Sequence, residues 1–125
     1  MAAPAKAWET VDFTYERDGR EFPGIIVRLP EGQAAPFYAA CRICTHQGCA
    51  FGYETNYRQV GDIVGVDLEN PVFFCRCHLS VYDPAHAGRV VSGPAPRPPW
   101  QFSVRAEGSD LVVTGLEAGA GDIKS

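Results

Sequence analysis

Residues 44–49 read Cys-Thr-His-Gln-Gly-Cys, and residues 75–78 read Cys-Arg-Cys-His. Each stretch is short enough for one tight turn to aim a sulfur and a ring nitrogen at a common point. Cys44 and His46 do so at a Cys-x-His spacing, Cys75 and His78 at Cys-x-x-His. Cys49 and Cys77 remain as a second pair of thiols, one in each stretch.

This donor stock has one reading that uses both turns equally. One Cys and one His from each can hold a two-iron cluster, thiolates on one iron and imidazoles on the other. Neutral imidazoles in place of thiolates remove negative charge, so such a cluster accepts an electron more readily. A zinc site is the main alternative. Cys41-x-x-Cys44 with Cys75-x-x-His78 has zinc-ribbon spacing, but it leaves His46, Cys49 and Cys77 without roles. A c-type haem needs Cys-x-x-Cys-His, and Thr45 follows Cys44. A purely disulfide-built scaffold is weakly motivated, because 125 residues can bury a core without staples.

Beyond the donors, the chain resembles the Rieske iron–sulfur family. Residues 44–49 fit that family's Cys-Thr-His-x-Gly-Cys loop, and Cys75 through Asp83 fit Cys-x-Cys-His-x-Ser-x-Tyr-Asp. Gly93-Pro94-Ala95-Pro96 fits its proline loop, and the likeness spans about residues 36 to 116. The resemblance implies a Rieske-type 2Fe–2S cluster with Cys44 and Cys75 on the inner iron and His46 and His78 on the outer one. It implies a Cys49–Cys77 disulfide between the loops. Ser80 and Tyr82 match positions whose hydroxyls donate to a bridging sulfide and to the Cys44 sulfur, and these place the chain with the quinol-oxidising branch.

In that branch the expected function is the iron–sulfur subunit of a quinol:cytochrome c oxidoreductase of the cytochrome bc type. The cluster accepts an electron and an outer histidine, His46 or His78, accepts the proton from quinol. A c-type cytochrome then takes the electron. Cytochrome b with quinol and a c-type cytochrome are the expected partners, and the chain is an electron-transfer subunit rather than a catalyst alone. Gln47 stands where quinol-oxidising relatives commonly have leucine, and Leu79 where they commonly have glycine. The stretch between His46 and Cys75 is longer than usual, with an insertion at 53–70. These three changes are expected to touch the partner-facing surface. Leu79 and Phe22-Pro23-Gly24-Ile25-Ile26-Val27 also resemble the small subunit of arsenite oxidase, which implies a molybdopterin subunit as alternative partner. A soluble ferredoxin serving an oxygenase is disfavoured by Cys49, Cys77 and Tyr82.

The net charge of −4 argues against nucleic acid as a partner. No segment approaches the ~20 apolar residues of a membrane span, and Met1-Ala2-Ala3-Pro4-Ala5-Lys6 lacks the apolar core of a secretory signal. The expectation is a soluble, anchor-free piece or a subunit held by its partner. Its place is the periplasm or the outer face of an energy-transducing membrane, where a disulfide persists.

Thirteen glycines, ten prolines and many β-branched and aromatic residues point to short strands and frequent turns. The expected fold is all-β, with antiparallel sheets and a small cluster-binding subdomain (41–96) inserted in a base (1–40 and 97–125). Strands are expected at Trp8–Glu16, Glu21–Leu29, Pro36–Ile43, Val60–Leu68 and Val72–Phe74, with a hairpin over Gln101–Ala106 and Asp110–Thr114. No helix is expected, and the glycine-rich tail from Glu117 to Ser125 reads as loose. Cys41 is expected as a buried thiol, His86 as a surface loop residue, and Trp8 and Trp100 as packing aromatics.

Overall fold

The computed structural model describes residues 1–122. In chain order its elements are β1 (Thr10–Arg17), β2 (Arg20–Arg28), β3 (Phe37–Cys41), β4 (Gly52–Glu54), α1 (Tyr57–Val64), β5 (Val72–Cys75), β6 (Ser80–Asp83), a 3-10 turn (Pro84–His86), β7 (Arg89–Ser92), β8 (Phe102–Glu107) and β9 (Asp110–Leu116). All strand pairs are antiparallel, in sheets ordered β1-β2-β3, β4-β5-β6-β7 and β8-β9. The chain divides into two compact units, one of Met1–Arg42 with Trp100–Asp122, the other of Ile43–Pro99.

In the first unit, β1 alternates half-buried Val11, Phe13, Tyr15 and Arg17 with exposed Asp12, Thr14 and Glu16. That period of two is the mark of a strand with one wet face. Asp18 and Gly19 both take positive φ, +54° and +78°, which closes a two-residue hairpin compatible with strand twist. β2 lies between two neighbours, and its Ile25, Ile26 and Val27 are 2%, 0% and 0% exposed. Phe13 and Tyr15 meet Phe102 edge-on at 4.8 and 5.4 Å. Cys41 is buried, as expected, and its N–H donates to the Trp100 carbonyl at 2.8 Å. Trp100 is itself buried. The tail differs from expectation through Asp122: Ala120 is buried, and the Asp122 N–H closes a turn on the Gly119 carbonyl. Residues 123–125 lie outside the described residues.

In the second unit, Val60–Leu68 is not a strand. A helix covers Tyr57–Val64 and an irregular stretch follows. Asn56 caps it by accepting from the Gln59 N–H at 3.4 Å, and Gly65 ends it in the left-handed region at φ +75°. Tyr57, Val60 and Val64 recur at helical spacing, and all three pack with Val72, Phe74 and Val81. A helix of eight residues is too short to hold itself in water, so this packing decides its conformation.

One contact in the first unit tests the register. Gly24 pairs with Phe13, and a Cβ at Gly24 would clash with the outer edge of the Phe13 ring. Gly24→Ala should therefore overpack this site and destabilise the protein by about 1–3 kcal/mol. Denaturant unfolding should show a lower midpoint with an unchanged slope. The loss should shrink in a Phe13→Ala background, where the ring is gone.

Candidate metal centre

The β5–β6 hairpin carries half of the site. Cys75 pairs with Ser80, Phe73 with Tyr82 and Phe74 with Val81. Side chains alternate along each strand, so Cys75, Ser80, Phe73 and Tyr82 share one face while Val72, Phe74 and Val81 share the other. The helix α1 covers that other face. The insertion was expected at the partner-facing surface, but its helix lies on the side of the sheet away from Cys75, Ser80 and Tyr82. The Arg76–Leu79 connection closes with Leu79 at φ +63°, left 42% exposed.

Residues 44–49 form the facing loop. The Cys44 N–H donates to the Cys49 carbonyl at 2.6 Å, the Gly48 N–H donates to the Cys44 carbonyl at 3.0 Å, and Ile43 bridges to Ala50. Gly48 adopts φ +80°. A Cys49–Cys77 disulfide joins the two loops.

The four remaining donors converge in two pairs. Cys44 and Cys75 are free thiols, 2% and 1% exposed, and near enough for Cys44 to act on the Cys75 thiol. The rings of His46 and His78 stand perpendicular with centroids 4.8 Å apart. His78 is exposed and His46 half-buried, so the sulfurs lie inside and the imidazoles toward solvent. Burial pushes the Cys75 thiol up, and Cys44 adds to the rise, while hydrogen bonds from the Cys77 and His78 backbones pull it down.

One atom tests whether a metal group fits. The Nδ1 of His46 is buried without a hydrogen-bond partner, in a protein where such atoms are normally satisfied. A metal bound at this nitrogen would account for it. Among the described residues no three His, Cys, Asp or Glu side chains gather round a single metal position. Two thiols and two imidazoles, in separate pairs, is the division a two-iron cluster needs. The residues present fit that group.

Around the donors lies a network the sequence only partly disclosed. Tyr82 is fully buried, and its hydroxyl lies 3.2 Å from the Cys44 sulfur. The same oxygen accepts from the Thr45 N–H at 3.2 Å and contacts the Thr45 hydroxyl at 3.2 Å. The Thr45 hydroxyl donates to the Arg97 carbonyl at 2.8 Å. Burial, then the contact with Cys44, holds the Tyr82 phenol well above its ordinary range, so it remains a protonated donor. Ser80 is also fully buried and accepts from the Ala95 N–H at 3.2 Å. Sequence reasoning singled out Ser80 and Tyr82. Thr45, Ala95 and Arg97 went unmarked because three of their four contacts use a backbone atom, which no side-chain pattern reports.

His86 is an exposed residue, as expected, but its Nδ1 lies 2.7 Å from the Asp83 carboxylate. Asp83 also accepts from the Ala85 N–H at 2.9 Å and from Asn70 at 3.0 Å. This ties the segment entering β5 to the end of β6. The Asp-Pro pair opening the short helical turn was the available signal.

Known proteins share this arrangement's sequence and fold to stated degrees. The Rieske 2Fe–2S domain family matches residues 7–115. The cytochrome b6-f complex iron–sulfur subunit of Chlorobaculum thiosulfatiphilum is 32% identical over 76 residues, 61% of this chain and 34% of that protein. The ubiquinol–cytochrome c reductase iron–sulfur subunit of Bradyrhizobium diazoefficiens is 42% identical over 65 residues, 48% of this chain and 28% of that protein. The chain thus spans about a third or less of the length of these relatives. The crystal structure of the cyanobacterial plasma membrane Rieske protein of Synechocystis PCC 6803 is similar in fold. Its TM-score is 0.56 at 22% identity, covering 83% of this chain and 86% of that one.

The disulfide gives a direct prediction. It closes a separation of 28 residues, for which chain-entropy reasoning gives about 3–4 kcal/mol. Cys49→Ser with Cys77→Ser should lower the unfolding free energy by that order. The same drop should appear on adding reductant to the native protein and be absent when reductant is added to the double variant.

Proposed function

The chain belongs to the Rieske 2Fe–2S domain family, and from that premise we propose that it works as the cluster-bearing part of a quinol:cytochrome c oxidoreductase. As a Rieske protein related to bc-complex iron–sulfur subunits at low identity, it carries a Rieske-type cluster and transfers electrons. When bound, that cluster supplies a one-electron carrier in the Rieske range, roughly −150 to +300 mV.

The ligands we assign are Cys44 and Cys75 on the inner side and His46 and His78 on the outer. The buried Nδ1 of His46 is its inward atom, which leaves Nε2 to carry the ring hydrogen. His78, being exposed, is accessible to a quinol hydroxyl. The domain would take one electron and one proton from quinol at this edge and hand the electron to a c-type cytochrome. Its place would be the periplasm or the outer face of an energy-transducing membrane. Among the described residues no helix is long and apolar enough to cross a membrane, so cytochrome b would hold quinol beside it from another chain or segment.

The observation that carries this reading is the 3.2 Å contact between the Tyr82 hydroxyl and the Cys44 sulfur. A neutral phenol donating to a ligand thiolate stabilises the extra negative charge that reduction brings, and so raises the potential. A second reading, the Rieske small subunit of an arsenite-oxidase-like molybdoenzyme, draws on the exposed Leu79 directly after His78. Both need a high potential, and they differ in the partner.

Potentiometric titration followed by EPR tests the proposal. The wild type should titrate well above the plant-type ferredoxin value of about −400 mV, in the upper part of the Rieske range. Tyr82→Phe and Ser80→Ala should each lower the midpoint while the cluster stays bound. An unshifted midpoint in both variants would remove the basis for the quinol assignment. Rapid-mixing reduction by a quinol in the presence of cytochrome b, against reduction by a molybdopterin subunit, separates the two readings.

A further inference from the structure

A hydroxyl offers one hydrogen and two lone pairs. At Ser80 one lone pair is taken, because the Ala95 N–H donates to it at 3.2 Å in a buried contact. The hydrogen of that hydroxyl has no acceptor among the described residues. Ser80 is 0% exposed and Ala95 9%, so water competes poorly for either group.

The segment bearing Ala95 is pressed onto Ser80 by a separate feature. Gly93 takes φ +91°, and a side chain there would meet the Ser80 Cα at 2.5 Å, the Leu79 carbonyl at 2.7 Å and the Ser80 nitrogen at 2.8 Å. Only a residue without a Cβ lets this segment lie directly on the Leu79–Ser80 peptide. Beyond Ala95, the Arg97 carbonyl accepts from the Thr45 hydroxyl at 2.8 Å. The segment 93–97 is therefore fastened both to the start of β6 and to the first donor loop, with the Ala95 N–H between the two fastenings.

We propose that the backbone N–H of Ala95 is a positioning group for the Ser80 hydroxyl, occupying its acceptor side and leaving its hydrogen for the metal centre. The inference rests on the reading of Ser80 as a donor to the cluster. A hydroxyl whose oxygen accepts a hydrogen bond is polarised and becomes a stronger donor. Its rotation is also restricted, because turning would abandon the Ala95 N–H in a buried site. Reduction adds negative charge at the centre, so a stronger and better-aimed donor favours the reduced form. The segment 93–97 thus sets the potential through one main-chain hydrogen.

The test is a set of potentiometric titrations on the cluster-loaded protein. Ala95→Pro removes the N–H in a run already flanked by Pro94 and Pro96. It should lower the midpoint potential by less than Ser80→Ala does. Ala95→Gly keeps the N–H and should leave the midpoint at the wild-type value. In a Ser80→Ala background, Ala95→Pro should add no further shift, because its effect passes through the hydroxyl. An amide-to-ester replacement at residue 95 removes the same hydrogen without the proline ring. It should reproduce the drop, and it stands in if the Pro variant loses its cluster. An equal drop with and without the Ser80 hydroxyl would overturn the proposal and assign the effect to packing. No drop on removing the N–H, with Ser80→Ala still lowering the midpoint, would overturn it while the role of Ser80 stands. No drop with Ser80→Ala itself would overturn both.

Discussion

Two sulfurs lying side by side with water excluded form the constraint on which the rest of the second unit depends. Cys44 and Cys75 are 2% and 1% exposed, and Cys44 acts directly on the Cys75 thiol. As ligand thiolates they would be two adjacent negative charges in a medium that solvates charge poorly. Such a pair is tolerable only beside a compensating cation and fixed donors. The chain supplies compensating groups from its own main chain, since the backbones of Cys77 and His78 favour the charged form of Cys75. Aiming those groups inward needs a sharp turn. Leu79 at φ +63° closes it, in a region that disfavours a leucine by roughly 1–2 kcal/mol.

The two donor loops are held in different ways. Cys75 ends β5, so the β4-β5-β6-β7 sheet fixes it through a continuous ladder. Cys44 belongs to no strand, and its loop has a single bridge, Ile43 to Ala50, at its base. That loop is fastened from outside instead. The disulfide ties Cys49 to Cys77, the Tyr82 hydroxyl accepts from the Thr45 N–H, and the Arg97 carbonyl takes the Thr45 hydroxyl hydrogen. Tyr82 is itself wedged against Phe51, with ring centroids 5.2 Å apart, and Phe51 rests on Phe73 at 5.0 Å. Position at the first loop is therefore borrowed from the sheet that carries the second. A rigid frame of this kind reduces the rearrangement that accompanies a change of charge at the centre.

Legibility in the sequence followed the range of the interactions involved. The strands of the first unit were readable because Val11, Phe13 and Tyr15 alternate cleanly and Asp18-Gly19 marks the hairpin. The disulfide was readable because matching motif positions left Cys49 and Cys77 as a pair. The helix over Tyr57–Val64 was not. Ile63, Val64 and Val66 are β-branched and look like a strand, while Ile63 proves 46% exposed and Tyr57, Val60 and Val64 face the sheet. Asn56 and Gly65 stand where a helix start and stop signal belong, but they flank a run of high β propensity. At the site, Ser80 and Tyr82 stood out as side chains. The hydrogen bonds made by the Ala95 and Thr45 nitrogens belong to the backbone, and only folded coordinates reveal them.

The insertion illustrates how one face of a sheet is freed for chemistry. β5 and β6 are four residues each, and a period of two puts Cys75, Ser80 and Tyr82 on one side. That leaves Val72, Phe74 and Val81 on the reverse, an apolar surface with no function at the metal centre. Left wet, it would cost on the order of 25 cal/mol for every Å² exposed. The helix covers it with Tyr57, Val60 and Val64, joined by Leu68 and Val91. Gly61 lets the following chain pass close, since a Cβ there would meet the Val66 carbonyl at 2.5 Å. With its back covered in this way, the hairpin can spend its other face wholly on sulfur, hydroxyls and aromatic packing. Gln47, Arg76, His78 and Leu79 are then left exposed in the two donor loops.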